Sequence, residues 1–249
     1  MKKIVIVGAT SGLGLRVAEV LASAGWRVGA AGRNENALQE LKSRYPEQIE
    51  WQRIDVMKKE SPQHLRKLID KLGGMDIYLN VAGIGFENTT LNCEHEVDTL
   101  RTNVVGFTRM VITAFKYFID ECNGIGQIAA ITSIAGTKGI GELASYSASK
   151  KFQQTYLQAL EQLSNMKGMK MYFTDIRPGW VRTPLLREGR VYPMVMDPEP
   201  VVREVIRAII KRRRVKVIDG RWELLYAAWR LLPSWLWIRM KVNVSSPKK

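Results

Sequence analysis

Little in this chain speaks for metal or disulfide chemistry: among 249 residues there are two cysteines, Cys93 and Cys122. Their spacing matches neither a metal-ligand pattern nor a disulfide framework, which implies a reduced, intracellular setting and no metal site. Long apolar runs are missing as well. No uncharged stretch approaches the ~18 residues that a membrane-crossing helix needs. Residues 1–7 begin with lysines, but their apolar run is too short for a signal peptide and leads straight into glycines. There are no internal repeats and no low-complexity segments, so the chain is expected to be cytoplasmic. Acidic residues are scarce at one end. From Arg203 onward, thirteen Lys/Arg face three Asp/Glu, a local excess of ten within a net charge of +14.

What is present is an ordinary globular balance, 46% hydrophobic and 25% charged, at a length that suits one large α/β domain with a substantial core. Short β-branched runs at 4–7, 27–31, 50–54, 77–80, 127–132 and 171–176 are apolar and bounded by Gly, Asn or Asp, as strands are. Amphipathic stretches at 13–24, 35–44, 62–72, 94–121 and 146–166 predict helices between them, and 200–213 followed by 215–218 predicts a last helix and strand. Such alternation implies a mainly parallel sheet of about seven strands with helices on both faces. Right-handed crossovers then leave the doubly wound Rossmann arrangement. The composition shift near 211 divides the chain into a nucleotide-binding and catalytic domain, 1–210, and a basic, Trp-rich appendage, 211–249.

Gly8-Ala9-Thr10-Ser11-Gly12-Leu13-Gly14 follows the first predicted strand and opens the first helix. Glycines there let the backbone turn tightly and approach a pyrophosphate, which free N–H groups at a helix N-terminus attract. The spacing Gly-x-x-x-Gly-x-Gly differs from the common dinucleotide fingerprint, so by itself it also fits a plain Gly-rich turn. The second strand ends at Arg33-Asn34. An acidic residue there would bind the adenosine ribose of NAD, whereas an arginine suits the extra phosphate of NADP, so the cofactor expected is NADP(H). Tyr146-Ser147-Ala148-Ser149-Lys150 places a phenol and an ammonium at i and i+4, on one helix face. A nearby cation favours the phenolate and would bring the tyrosine into the range of general acid–base catalysis.

In order from about Lys3 to Thr183, these residues resemble the short-chain dehydrogenase/reductase family. The glycines Gly8, Gly12 and Gly14 follow that family's pattern. Asp55-Val56 looks like its adenine-contacting pair, and Asn80-Val81-Ala82-Gly83 is similar to its Asn-Asn-Ala-Gly segment, with Val81 in place of the second Asn. Asn103, then Ser133, then Tyr146 and Lys150 stand where the family carries its catalytic set, and Pro178-Gly179 with Thr183 is similar to its nicotinamide-side loop. Thr10, Ser11, Leu13, Asn34 and Ala82 join the implied cofactor contacts. Lys151 departs from the small residue usual after the lysine and is expected to point away from Tyr146.

The resemblance implies roles. A bound nicotinamide exchanges the hydride; Ser133 holds the substrate oxygen, Tyr146 transfers the proton, and Lys150 holds the ribose and lowers the Tyr146 pKa. Asn103 holds a water that connects Lys150 to solvent. The implied enzyme reduces a ketone or aldehyde with NADPH, or oxidises the alcohol. Trp180 and the apolar stretch 183–198 favour a hydrophobic substrate. The helices 94–121 and 146–166 imply a homodimer or homotetramer.

Beyond Lys211 the resemblance fades. Four of the seven tryptophans lie there, in what reads as an aromatic helix–Pro–helix beside the basic cluster 211–214. It fits a lid over the substrate or an oligomer contact first, and a peripheral membrane surface second. A non-catalytic NADP-binding redox sensor is the alternative function, but it has no need of a proton donor. Nucleic-acid binding is disfavoured, because tryptophans paired with leucines read as burial rather than base stacking.

Overall fold

A computed structural model of the chain describes residues 2–247. Along the chain run β1 (Lys3–Val7), α1 (Gly12–Ser23), β2 (Arg27–Gly32), α2 (Glu35–Arg44), β3 (Ile49–Arg53), α3 (Ser61–Leu72) and β4 (Ile77–Asn80). Next come α4 (Cys93–Leu100), a π-helical turn (Arg101–Gly106), α5 (Phe107–Glu121), β5 (Ile125–Ile131), α6 (Ala144–Met166) and β6 (Lys170–Pro178). The C-terminal part holds β7 (Arg190–Val191), α7 (Pro198–Ile210), β8 (Val215–Ile218), α8 (Gly220–Leu231), α9 (Ser234–Trp237) and β9 (Ser246–Pro247). Seven strands form one sheet in the order β3-β2-β1-β4-β5-β6-β8, every pair parallel.

Period-two alternation decides what each face buries. In β1, Ile4 and Ile6 pack with Val17, Leu21 and Leu38 of α1 and α2, while Val5 and Val7 pack with Leu65, Leu68, Phe107 and Val111 of α3 and α5. Both faces are covered, which is why these strands read as continuous apolar runs. Local signals set the helix ends. The side chains of Asn34 and Asn92 cap α2 and α4, Pro62 opens α3, and Gly73 closes it at φ +73°.

Three expectations are refined. The helix expected over 94–121 runs through without a gap but carries a π-helical turn at Arg101–Gly106, where the Asn103 side chain bonds the backbone of Ile84. The chain beyond 210 is not merely appended: the strand expected at 215–218 forms as β8, the sheet's edge beside β6, and Trp222 is 2% exposed within the main core. Finally, β7 and β9 pair antiparallel, Val191 opposite Ser246, which ties the chain's last described residues to the loop after β6.

The strand order reverses between β1 and β4. Connections leaving these two strands diverge to opposite faces and open a crevice at the strands' C-terminal ends. The loops after β1, β2, β3, β4, β5 and β6 all reach it. Residues far apart in sequence therefore line one cleft.

Candidate active site

The cleft has a volume of about 630 Å³. Its phosphate end is made by the first loop. Gly8 (φ +100°) passes so close to the β4 loop that an added Cβ would lie 2.5 Å from the Ala82 amide, and a Cβ on Gly14 would lie 2.0 Å from the Gly8 carbonyl oxygen. Both positions therefore require glycine. Ser11 precedes α1 in extended conformation without a side-chain cap, which leaves the helix's first N–H groups to a ligand. This cradle fits the pyrophosphate of a dinucleotide.

Arg33 is exposed at the lip of the cleft. Its carbonyl accepts from the Arg53 Nε at 3.3 Å, which steadies the loop. Asp55 and Val56 line the wall, with Asp55 Oδ1 accepting from the Met57 amide at 3.0 Å. Thr10, Ser11, Leu13, Ala82, Gly83, Pro178, Gly179, Trp180 and Thr183 line it too. Two residues expected to contact the cofactor do not line this wall. Asn34 directs its side-chain oxygen to the Ala37 amide as a helix cap. Asn80 is buried behind the wall, accepting from the Tyr78 hydroxyl and donating to the Ala82 carbonyl at 3.2 Å each, so it shapes the turn from beneath.

At the other end Ser133, Tyr146 and Lys150 share the cleft wall. Ser133 lies just past β5. Its hydroxyl accepts from the Ala135 amide at 3.1 Å and lies 3.4 Å from the Pro178 oxygen, so its proton is only loosely engaged. The Tyr146 ring is seated on main chain: a Cβ on Gly85 would come within 2.5 Å of it. Lys150 Nζ lies 5.6 Å from the ring centroid and donates to the Ile131 carbonyl and to Gln153 Oε1, both at 3.2 Å. Lys151 is exposed, turned away as expected.

Packing sets two further features of this cluster. Lys150 does not dominate the Tyr146 pKa. Burial pushes the phenol up to about 12, with the Ser133 hydroxyl opposing, and burial brings the Lys150 ammonium down to about 8 against the pull of Asp175. Desolvation is the largest influence on each group, so at neutral pH the phenol is protonated. Asn103 and Lys150 are joined through a third side chain. The Asn103 carbonyl accepts from Gln153 Nε2 at 2.9 Å, and Gln153 Oε1 accepts from Lys150 Nζ at 3.2 Å. No spacing rule would have singled out Gln153.

The substrate side is only partly the expected loop. Leu185, Leu186 and Met194 line the cleft, whereas Tyr192 and Met196 are buried in support and Val191 is exposed. The C-terminal segment supplies the remainder: Trp222, Leu225, Trp229 and residues 242–244. It is fastened by polar contacts. Trp237 Nε1 donates to the Gly139 carbonyl at 2.6 Å, the Val244 amide to Glu142 at 2.9 Å, and Ser245 to Glu87 at 2.9 Å. Trp222 lies flat against Gly179, where an added Cβ would come 2.1 Å from the indole. Gly179→Ala should therefore displace the indole and cost about 1–3 kcal/mol of stability, read by denaturant unfolding together with a shift in tryptophan emission. Unchanged stability and emission would show that this contact does not hold the segment.

Comparison with known proteins shows the family. The sequence profile described as short chain dehydrogenase matches residues 2–191. A Xenopus tropicalis protein named dehydrogenase/reductase SDR family member 7B is 30% identical, over 87% of this chain and 77% of its own length. An uncharacterized oxidoreductase from Staphylococcus saprophyticus is 31% identical, over 87% of this chain and 94% of its own. A short-chain dehydrogenase from Sphingobium yanoikuyae in complex with NADPH superposes with a TM-score of 0.77 at 20% identity, covering 97% of each chain. The chain belongs to the short-chain dehydrogenase family of oxidoreductases. No helix among the described residues is long and apolar enough to cross a membrane.

Proposed function

We propose that this protein is an NADPH-dependent reductase of hydrophobic ketones or aldehydes, or the corresponding alcohol dehydrogenase. The observation that carries the reading is a buried proton donor, Tyr146, in one cleft with a glycine cradle at one end and an apolar wall at the other. The cradle and the free N-terminus of α1 would hold the pyrophosphate, and Arg33 the 2′-phosphate of NADP. The NADPH bound by the Sphingobium relative supports that choice.

Bound NADPH would supply the hydride. Ser133 orients the substrate oxygen by hydrogen bonding, and Tyr146, protonated at neutral pH, gives it the proton. Lys150, charged below about pH 8, holds positive charge beside that event. The indoles of Trp180 and Trp229 and the leucines beside them keep water away and favour an apolar substrate. Loss of NADPH absorbance with a panel of hydrophobic ketones, long-chain 3-ketoacyl and keto-sphingoid compounds tests the reading. No turnover across the panel, with NADPH bound, would favour the redox-sensor alternative. Pairing of subunits through α5 and α6 belongs to the same reading, with Val105 and Leu163 exposed nearby for such a contact.

Gln153 yields a separate expectation. It is fully buried and offers Lys150 one of its two acceptors. A hydrogen bond to a charged group contributes about 1.5–3 kcal/mol, so Gln153→Leu should lower the Lys150 titration by about one pH unit or more. The Lys ¹³Cε signal assigned by Lys150→Arg reads this directly, without turnover. Gln153→Glu should move it the other way. Titration unmoved in both variants would reduce Gln153 to packing.

A further inference from the structure

Helix α8 is apolar on two sides. Trp222, Leu225 and Trp229 face the core and the cleft. Leu224, Ala227, Ala228 and Leu231, spaced as one helical face, are all exposed. Beyond Pro233 the exposed series continues in Trp235, Ile238 and Met240. Leu224 is 75% exposed, Leu231 84%, Trp235 61% and Ile238 76%. Single exposed leucines are normal, but this many large exposed apolar side chains within one short segment mark an interaction site.

The charge around this face selects its partner. Between 220 and 241 stand Arg221, Arg230, Arg239 and Lys241 against one acid, Glu223. Arg221 is paired with Asp219. Arg230 lies over the Tyr226 ring and Arg239 over the Trp235 ring, and neither meets a carboxylate among the described residues. A second copy of the chain would bring two cationic rims together. An anionic lipid surface complements both the rim and the apolar stripe, with indole and guanidinium at headgroup depth. At 12 residues α8 lies on such a surface rather than crossing it.

We propose that α8, α9 and Met240 form a docking face for anionic membranes, through which substrate dissolved in the lipid reaches the cleft. The docking face stands on its own observations. Delivery of substrate rests on the carbonyl-reductase reading, because the same helix turns its other side to that cleft.

The test is flotation of the full chain with phosphatidylcholine vesicles, with or without roughly one-third phosphatidylserine. Binding is expected on the anionic vesicles, weaker on neutral ones, and reduced by salt. The surface variant Leu224→Ser/Leu231→Ser/Ile238→Ser should bind at least about tenfold more weakly, and Arg230→Glu/Arg239→Glu should lose the anionic preference. NADPH binding, followed by its fluorescence, should be unchanged in both, which shows that they fold. No flotation of the wild type, or equal flotation of the triple variant, overturns the proposal. So does a wild-type dimer in light scattering that the triple variant abolishes, since the face then covers a second copy. Vesicle binding by a wild-type protein that does not bind NADPH would remove the reductase reading and leave the docking face standing.

Discussion

Tyr146→Phe should lower kcat for NADPH-dependent carbonyl reduction by about 10²–10⁴-fold, the usual weight of a general acid. That is roughly 3–5 kcal/mol of barrier from one oxygen atom. Affinity for NADPH should stay within about threefold, because the phosphate cradle lies at the other end of the cleft. The aromatic ring should stay in place, since it packs on the main chain at Gly85 and phenylalanine retains that contact. The pH dependence has a definite sign. Both Tyr146 and Lys150 act protonated, and the lower of their pKa values is the Lys150 value of about 8. Wild-type kcat/KM for reduction should therefore hold through neutral pH and fall as pH rises through about 8. Steady-state rates of the two proteins across pH 6–10 decide it. A phenylalanine variant that keeps more than a tenth of the wild-type rate would remove Tyr146 from its role.

Arg33→Ala should weaken NADPH binding about tenfold to a hundredfold while leaving NADH binding nearly unchanged. The expected size is that of a charge-assisted hydrogen-bond pair to phosphate, about 1.5–3 kcal/mol. Arg33 is exposed, so part of this is screened, and the wild-type preference should shrink at high salt. Arg33→Glu should go further and favour NADH, because a carboxylate repels the 2′-phosphate but accepts from a ribose hydroxyl. Fluorescence titration with both nucleotides gives the ratio. Parallel losses for the two, or none, would mark Arg33 as a solvated loop residue.

Much of the fold was legible because its signals are local. Gly8 and Gly14 stand where the backbone has no room for a Cβ, and the β-branched runs of β1 and β4 are apolar throughout because both sheet faces are covered. Asn34 shows the limit of position-based reading. It occupies the right loop, but its side chain is spent capping α2, a competition that order along the chain does not reveal. The π-helical turn before α5 was equally hidden, since Asn103 within it bonds Ile84, nineteen residues away.

By itself, the amino-acid order determined the strand–helix alternation, the glycine loop and the Tyr146–Lys150 pair, because periodicity, backbone sterics and i,i+4 spacing act over a few residues. Only the tertiary structure decided, between the lid and the surface readings of the tail past 210, that it walls the cleft, that Gln153 joins Asn103 to Lys150, and that both titrating groups are driven toward their neutral forms. Burial and long-range contact are properties of the packed molecule, and desolvation arises only once the chain has closed around the group.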